Sequence, residues 1–181
     1  YGVLAVPGME INTSEEVHAV CLFPNLEAAL CFDSYVYGKL IRFPNNEAIF
    51  GKQQIYNEQD QVCGTEPNLL INATEISFDG LWELVRSYGG VMFPAHVDKT
   101  ANSLIANLGF IPPDSRFRTA EVKDLKKLHQ LQKDNPYLDK CRIISNSDAH
   151  YLEHMNEPEL TLQVEEKTVQ GIIDALLDGA G

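Results

Sequence analysis

Positive charge is scarce in this chain: 14 Lys and Arg stand against 26 Asp and Glu, a formal net charge of -12 over 181 residues. So acidic a surface repels a phosphate backbone unless a local patch or bound cations offset it, and composition alone argues against a nucleic-acid partner. There is no C-x-x-C pair. Cys21, Cys31, Cys63 and Cys141 are scattered through apolar or strand-like segments, which excludes a zinc knuckle and a disulfide frame and fits reduced, buried, cytoplasmic thiols. No apolar run approaches the ~20 residues that span a bilayer, and no basic stretch precedes an apolar one. The expectation is a soluble cytoplasmic protein with no membrane partner. Internal repeats and low-complexity segments are also absent.

What is present reads as alternating strands and helices in one domain, 1–181, whose 44% hydrophobic and 22% charged residues suit a substantial core. Tyr1 to Val6 is an apolar run with no start signal before it, broken by Pro7-Gly8 ahead of Met9-Glu10-Ile11. Val17 to Phe23 is a second strand candidate, with His18 on the face of Val20 and Leu22. Asn25 caps a helix running toward Tyr37 and Gly38. Between 43 and 74 the pattern weakens into an inserted segment with a polar hairpin, Gln53 to Cys63, expected over the mouth of the fold. Ser77 caps a helix that Gly89-Gly90 ends, and the strand Val91-Met92-Phe93 delivers His96. Thr100 or Asn102 opens a helix up to Gly109, and Thr119 to Val122 is a short strand. Leu125, Leu128 and Leu131 keep helical spacing, with His129 off that stripe and solvated. Cys141 to Ser145 and Leu160 to Val164 read as strands before a last helix capped by Thr168. Such alternation predicts a parallel sheet or barrel.

The run Ile143-Ile144-Ser145-Asn146-Ser147-Asp148-Ala149-His150 stops abruptly on an acid and an imidazole one residue apart. Alternate residues of an extended segment point the same way, so the two side chains can converge on a divalent metal. The same residues also fit an Asp N-cap with an exposed His beside it. Glu10, His18 and His96 likewise fall in or just after strand-like runs, and strand ends are where a (β/α) barrel keeps its chemistry. Plainer readings stand beside these: a solvated strand-end acid for Glu10, a satisfied core histidine for His18. Lys99, Arg116 and Arg118 are either ordinary surface cations or contacts for a substrate phosphate. His154, four residues after His150, reads as a surface residue.

In order, Pro7-Gly8-Met9-Glu10-Ile11-Asn12-Thr13 with His18-Ala19-Val20, Pro94-Ala95-His96-Val97-Asp98 and Ser147-Asp148-Ala149-His150 resemble the second, third and fourth motifs of the PHP (polymerase and histidinol phosphatase) domain. The resemblance covers nearly the whole chain. It implies an α/β fold, a distorted (β/α)7 TIM-like barrel, holding two or three divalent ions of zinc, manganese or iron. Glu10, His18, His96, Asp148 and His150 would be the ligands, with Glu10 and His150 central to catalysis. The implied reaction is phosphate-ester hydrolysis by hydroxide that the cations make available at neutral pH. With so acidic a composition, the expected substrate is a small phosphorylated metabolite held by Lys99, Arg116 and Arg118. The alternatives are a module acting on nucleic acid and a non-catalytic metal-binding module. The family's first motif, a His-x-His, and a following Asp-His have no counterpart here, and Ala95-His96-Val97 stands where many members carry His-Pro. The chain is therefore expected to be a fragment lacking the first strands, inactive, partly or wholly metal-free, with an edge that a second copy covers.

Overall fold

The computed structural model describes residues 2–157 and 160–179. Two strands, β1 (Gly8–Asn12) and β2 (His18–Leu22), lead into helix α1 (Leu26–Lys39), a single turn α2 (Glu47–Phe50) and the strands β3 (Gln54–Tyr56) and β4 (Val62–Thr65). Helix α3 (Phe78–Ser87), strand β5 (Val91–Pro94), helix α4 (Leu104–Leu108) and strand β6 (Thr119–Glu121) follow. Helix α5 (Leu128–Asp134), strand β7 (Arg142–Ile144) and helix α6 (Val169–Asp178) complete the order.

The helices begin where local chemistry sets them. Asn25, Ser77 and Thr168 accept hydrogen bonds from the backbone N–H groups of Ala28, Gly80 and Gly171, satisfying donors that a first helical turn leaves free. At α4 the cap is Ser103, one residue beyond Asn102, with its hydroxyl accepting from the Ala106 N–H. Gly109, at φ 81, ends that helix in the left-handed conformation that glycine tolerates.

The strands do not form a uniform parallel set. β1 and β2 pair antiparallel with Asn12 opposite His18, because residues 13–17 are too few for a parallel crossover, which takes about a dozen residues or more. β5 pairs antiparallel with the other edge of β2, so β1 and β5 point the same way. β6 and β7 pair in parallel, and β3 with β4 makes a separate antiparallel hairpin. Among the described residues the sheets have three, two and two strands, and no closed barrel forms. The expected TIM-like barrel is thus corrected to a mixed α/β arrangement. The Val97 N–H donates to the Glu121 carbonyl and the Val122 N–H to that of Ile144, so the C-terminal ends of β5, β6 and β7 meet.

The three-stranded sheet is covered on both faces. Ile11, Ala19, Cys21 and Met92 pack with Phe23, Phe32, Leu81 and Val85, while Val91 and Phe93 pack against Ile173 and Leu176 of α6. Each such large apolar side chain contributes about 1.5–3 kcal/mol on full burial, so the sheet is a rigid platform. Gly90 is required at the entry to β5: a Cβ there would lie 2.6 Å from the Leu22 carbonyl oxygen.

Three further expectations change. Tyr1 lies outside the described residues, and residues 2–7 form no strand, since Val3 and Leu4 stay exposed and no ladder rewards their ordering. Residues 160–164 also form none; Leu162 alone anchors the segment against α6. Cys21 and Cys141 are buried, but Cys31 and Cys63 are exposed, on the outer side of α1 and on the hairpin. The segment 43–74 leaves beyond α1 and returns at Thr74, whose N–H donates to the Asn12 carbonyl at the end of β1. No helix among the described residues is long and apolar enough to cross a membrane.

Candidate metal centre

The β1–β2 register decides the site. Asn12 faces His18 and Glu10 faces Val20, so Glu10 and His18 lie diagonally on one face of the hairpin, within reach of long side chains. β5 stops at Pro94, and His96 follows at φ 30, a left-handed conformation that costs a non-glycine residue about 1–3 kcal/mol. That turn brings the His96 ring to 5.4 Å from the His18 ring, centre to centre.

One carboxylate oxygen sits between the two imidazoles. Glu10 Oε1 is 3.2 Å from His18 Nδ1 and 3.3 Å from His96 Nε2. The three donor atoms all lie within 4.8 Å of one another. The His96 side chain is 3% exposed against 25% for His18 and 41% for Glu10, so the cluster is floored by a buried imidazole and open on the Glu10 side. A separate groove of about 210 Å³ runs between β1 and α1, lined by Glu10, Asn12, Tyr37 and Leu70 and by neither histidine.

Two imidazoles and a carboxylate are a donor set that suits a divalent first-row metal. His96 Nδ1 is buried with no hydrogen-bond partner among the described residues, and its Nε2 faces Glu10. Hydrogen bonding from His18 and then His96 holds the Glu10 carboxyl far below the usual carboxylate range, against partial burial. The carboxylate is therefore ionised at any pH a metal would bind. A depressed folded-state pKa contributes stability above the ordinary carboxylate range and loses it as the pH falls. Glu10→Gln is accordingly expected to flatten the acid limb of the stability curve below about pH 5, by less than about 1 kcal/mol given the exposure of Glu10. Urea midpoints at acid and neutral pH measure this, and parallel curves for the two proteins would mean that the imidazoles do not hold the carboxylate.

Glu121, at the end of β6, went unmarked by any sequence pattern. It is 4% exposed, and its two oxygens are both engaged: Oε2 accepts the His96 N–H at 3.0 Å and Oε1 accepts the Asn146 side-chain amide at 2.9 Å. A buried acid at the end of a strand is the one signal that could have found it.

The remaining candidates lie elsewhere. Asp148, at φ 49, gives its Oδ2 to Lys99 in a short charge-assisted bond and to Lys123 at 3.7 Å. Burial pushes its carboxyl up, but the Lys99 ammonium, with His96 and Lys123 behind it, leaves it below the usual range. His150 is exposed, its Nδ1 3.2 Å from the Asp148 carbonyl oxygen. Arg116 pairs with Glu83 of α3, and Arg118 is exposed just before β6, at the other end of that strand from Glu121. His129 and His154 are exposed. Of the five expected ligands, the structure brings Glu10, His18 and His96 into one group, with Asp148 and His150 outside it.

No family model and no curated protein matches the chain. Two solved structures share its fold. The lesion-specific endonuclease PfuEndoQ from Pyrococcus furiosus superimposes with a TM-score of 0.55 at 16% identity, over 96% of this chain and 39% of that one. Endonuclease Q in complex with a 27-mer duplex substrate carrying an abasic lesion at the active site gives 0.52 at 14%, over 93% and 38%. The chain thus spans about two fifths of the length of these neighbours, which are PHP-fold proteins. They overturn the expected partner, a small phosphorylated substrate in preference to nucleic acid, since a protein of this fold is solved on duplex DNA. Net charge averages over the whole surface, whereas binding answers to the local field, to which cations at a site contribute most.

Proposed function

We propose that this chain is the metal-binding part of a divalent-metal-dependent phosphodiesterase that cleaves nucleic acid. The observation that carries the reading is the single Glu10 oxygen held between His18 and His96, in a fold shared with endonuclease Q. Glu10, His18 and His96 would hold the ion; zinc, manganese and iron all suit the donor set. A bound divalent cation supplies hydroxide at neutral pH and neutralises charge on the phosphate under attack. Asp148 and His150 would serve a further ion only with Asp148 released from Lys99 and Lys123.

The chain's own residues do the rest. The buried His96 cannot drift, because its backbone is tied to Glu121 and its ring is packed on all sides. Glu10 stays anionic and is the most exposed of the three donors, so the cluster is reached from its side. The platform of β1, β2 and β5 keeps the three donors in register, which is the pre-organisation that a catalytic metal site needs.

The test is strand cleavage of labelled single-stranded and duplex oligonucleotides, with and without an abasic site, in manganese or zinc. Cleavage that needs the divalent ion and stops with EDTA is expected. Turnover of a phosphomonoester such as p-nitrophenyl phosphate with no cleavage of any oligonucleotide would overturn the reading.

A further inference from the structure

We infer that Asn146 is the positioning residue for Asp148 and His150: its side-chain amide, fastened to the buried Glu121 carboxylate, holds the segment that carries them against the end of β6. The inference rests on the metal-dependent reading and adds the residue that aligns the donors of a further ion.

Glu121 is tied to both segments that carry candidate ligands. Its backbone carbonyl accepts the Val97 N–H at 2.9 Å, and it stands opposite Ile144 in the parallel β6–β7 pair. The side chain repeats that bridge, with Oε2 on the His96 N–H at 3.0 Å and Oε1 on the Asn146 amide at 2.9 Å. Because the acid is buried, water does not stand in for either donor. One carboxylate thus sets the His96 backbone and the start of the segment after β7 against the same strand end.

Beyond Ile144 the chain has little else to hold it. β7 ends there, and among the described residues no backbone–backbone hydrogen bond involves 145–150. Asp148 pairs with Lys99 and Lys123, and the His150 contact with the Asp148 carbonyl is internal to the segment. An ion taken up by Asp148 draws its carboxylate off the lysines. Asn146 to Glu121 is then the only hydrogen bond among the described residues that ties 145–150 to the sheet. Asp148 follows two residues later, and two residues of extended chain span at most about 7 Å, so the tether confines the carboxylate to a small region beside β6. Without it, binding would have to order the whole of 145–150, and that lost entropy lowers affinity.

Manganese titrated calorimetrically into the whole chain tests this, with thermal melts to confirm folding. The parent is expected to take up one ion at Glu10, His18 and His96 and a second, weaker one that Asp148→Asn abolishes. Asn146→Ala weakens the second ion about 10- to 100-fold, the usual effect of losing a partner that orients a ligand, and leaves the first unchanged. Asn146→Gln keeps the amide donor and recovers part of that loss, whereas Asn146→Asp sets a second carboxylate against Glu121 and recovers none. If Asn146→Ala fails to melt cooperatively, the Gln and Asp variants carry the comparison. Equal weakening of both ions would make Asn146 a general support of Glu121, and weakening of neither would make it idle; each overturns the inference. A parent that takes up a single ion, or whose second ion survives Asp148→Asn, overturns it while leaving the metal-dependent reading standing. A parent that takes up no ion overturns both.

Discussion

His96→Ala is expected to abolish metal-dependent strand cleavage, a fall of about a thousandfold or more, because a bound ion supplies several kcal/mol of transition-state stabilisation at about 1.4 kcal/mol per decade. Among the three donors, His96 is the one whose position water cannot replace, since its side chain is 3% exposed. The variant separates metal loss from misfolding through thermal stability. In the parent, a divalent ion at about a hundredfold over its Kd adds about 2.7 kcal/mol to folding stability. His96→Ala loses that increment while still melting cooperatively, though at a lower temperature because of the cavity left behind. The surface variant His129→Ala keeps both activity and increment. A metal-induced rise in Tm that survives in His96→Ala would remove His96 from the site.

Glu121→Ala should be nearly as damaging although Glu121 touches none of the three donor atoms. It removes the only acceptor for the His96 N–H, and a buried donor without a partner costs about 1–3 kcal/mol. The backbone bonds from Ala95 to His18, Val97 to Glu121 and Lys99 to His96 remain, so the loss falls on the His96 N–H itself, at φ 30. Loss of a partner that orients a ligand typically weakens metal affinity about 10- to 100-fold. Glu121→Gln retains one acceptor oxygen and should recover a large part of that affinity. A purely structural role predicts otherwise, namely a lower Tm with unchanged metal Kd, and competition titrations against a chromogenic chelator would tell the two apart.

Much of the site was legible because its signals are local. Glu10, His18 and His96 could be singled out from where apolar runs stop, and Asn25, Ser77 and Thr168 from helix caps that act over three residues. The two-state choice at the β1–β2 link was also legible, since residues 13–17 cannot carry a parallel crossover. The alternation of strands and helices outweighed that length and pointed to a parallel sheet or barrel, the PHP resemblance implied a distorted (β/α)7 barrel, and no closed barrel forms among the described residues. Asp148 and His150 show the limit of spacing. Their one-residue separation predicts convergence in an extended strand, but β7 ends at Ile144, and the turn at Asp148 sends the carboxylate to two lysines.

By itself, then, the sequence determined the helix starts, the strands around the three donors and the residue types that suit a divalent ion, because each depends on neighbours a few positions away. Only the tertiary structure decided that Glu10 sits between His18 and His96, that Glu121 fixes His96 from 25 residues away, and that Asp148 pairs with Lys99 across 49. Those contacts follow from sheet register and from which opposite charge lies nearest in space, and neither leaves a periodic trace along the chain.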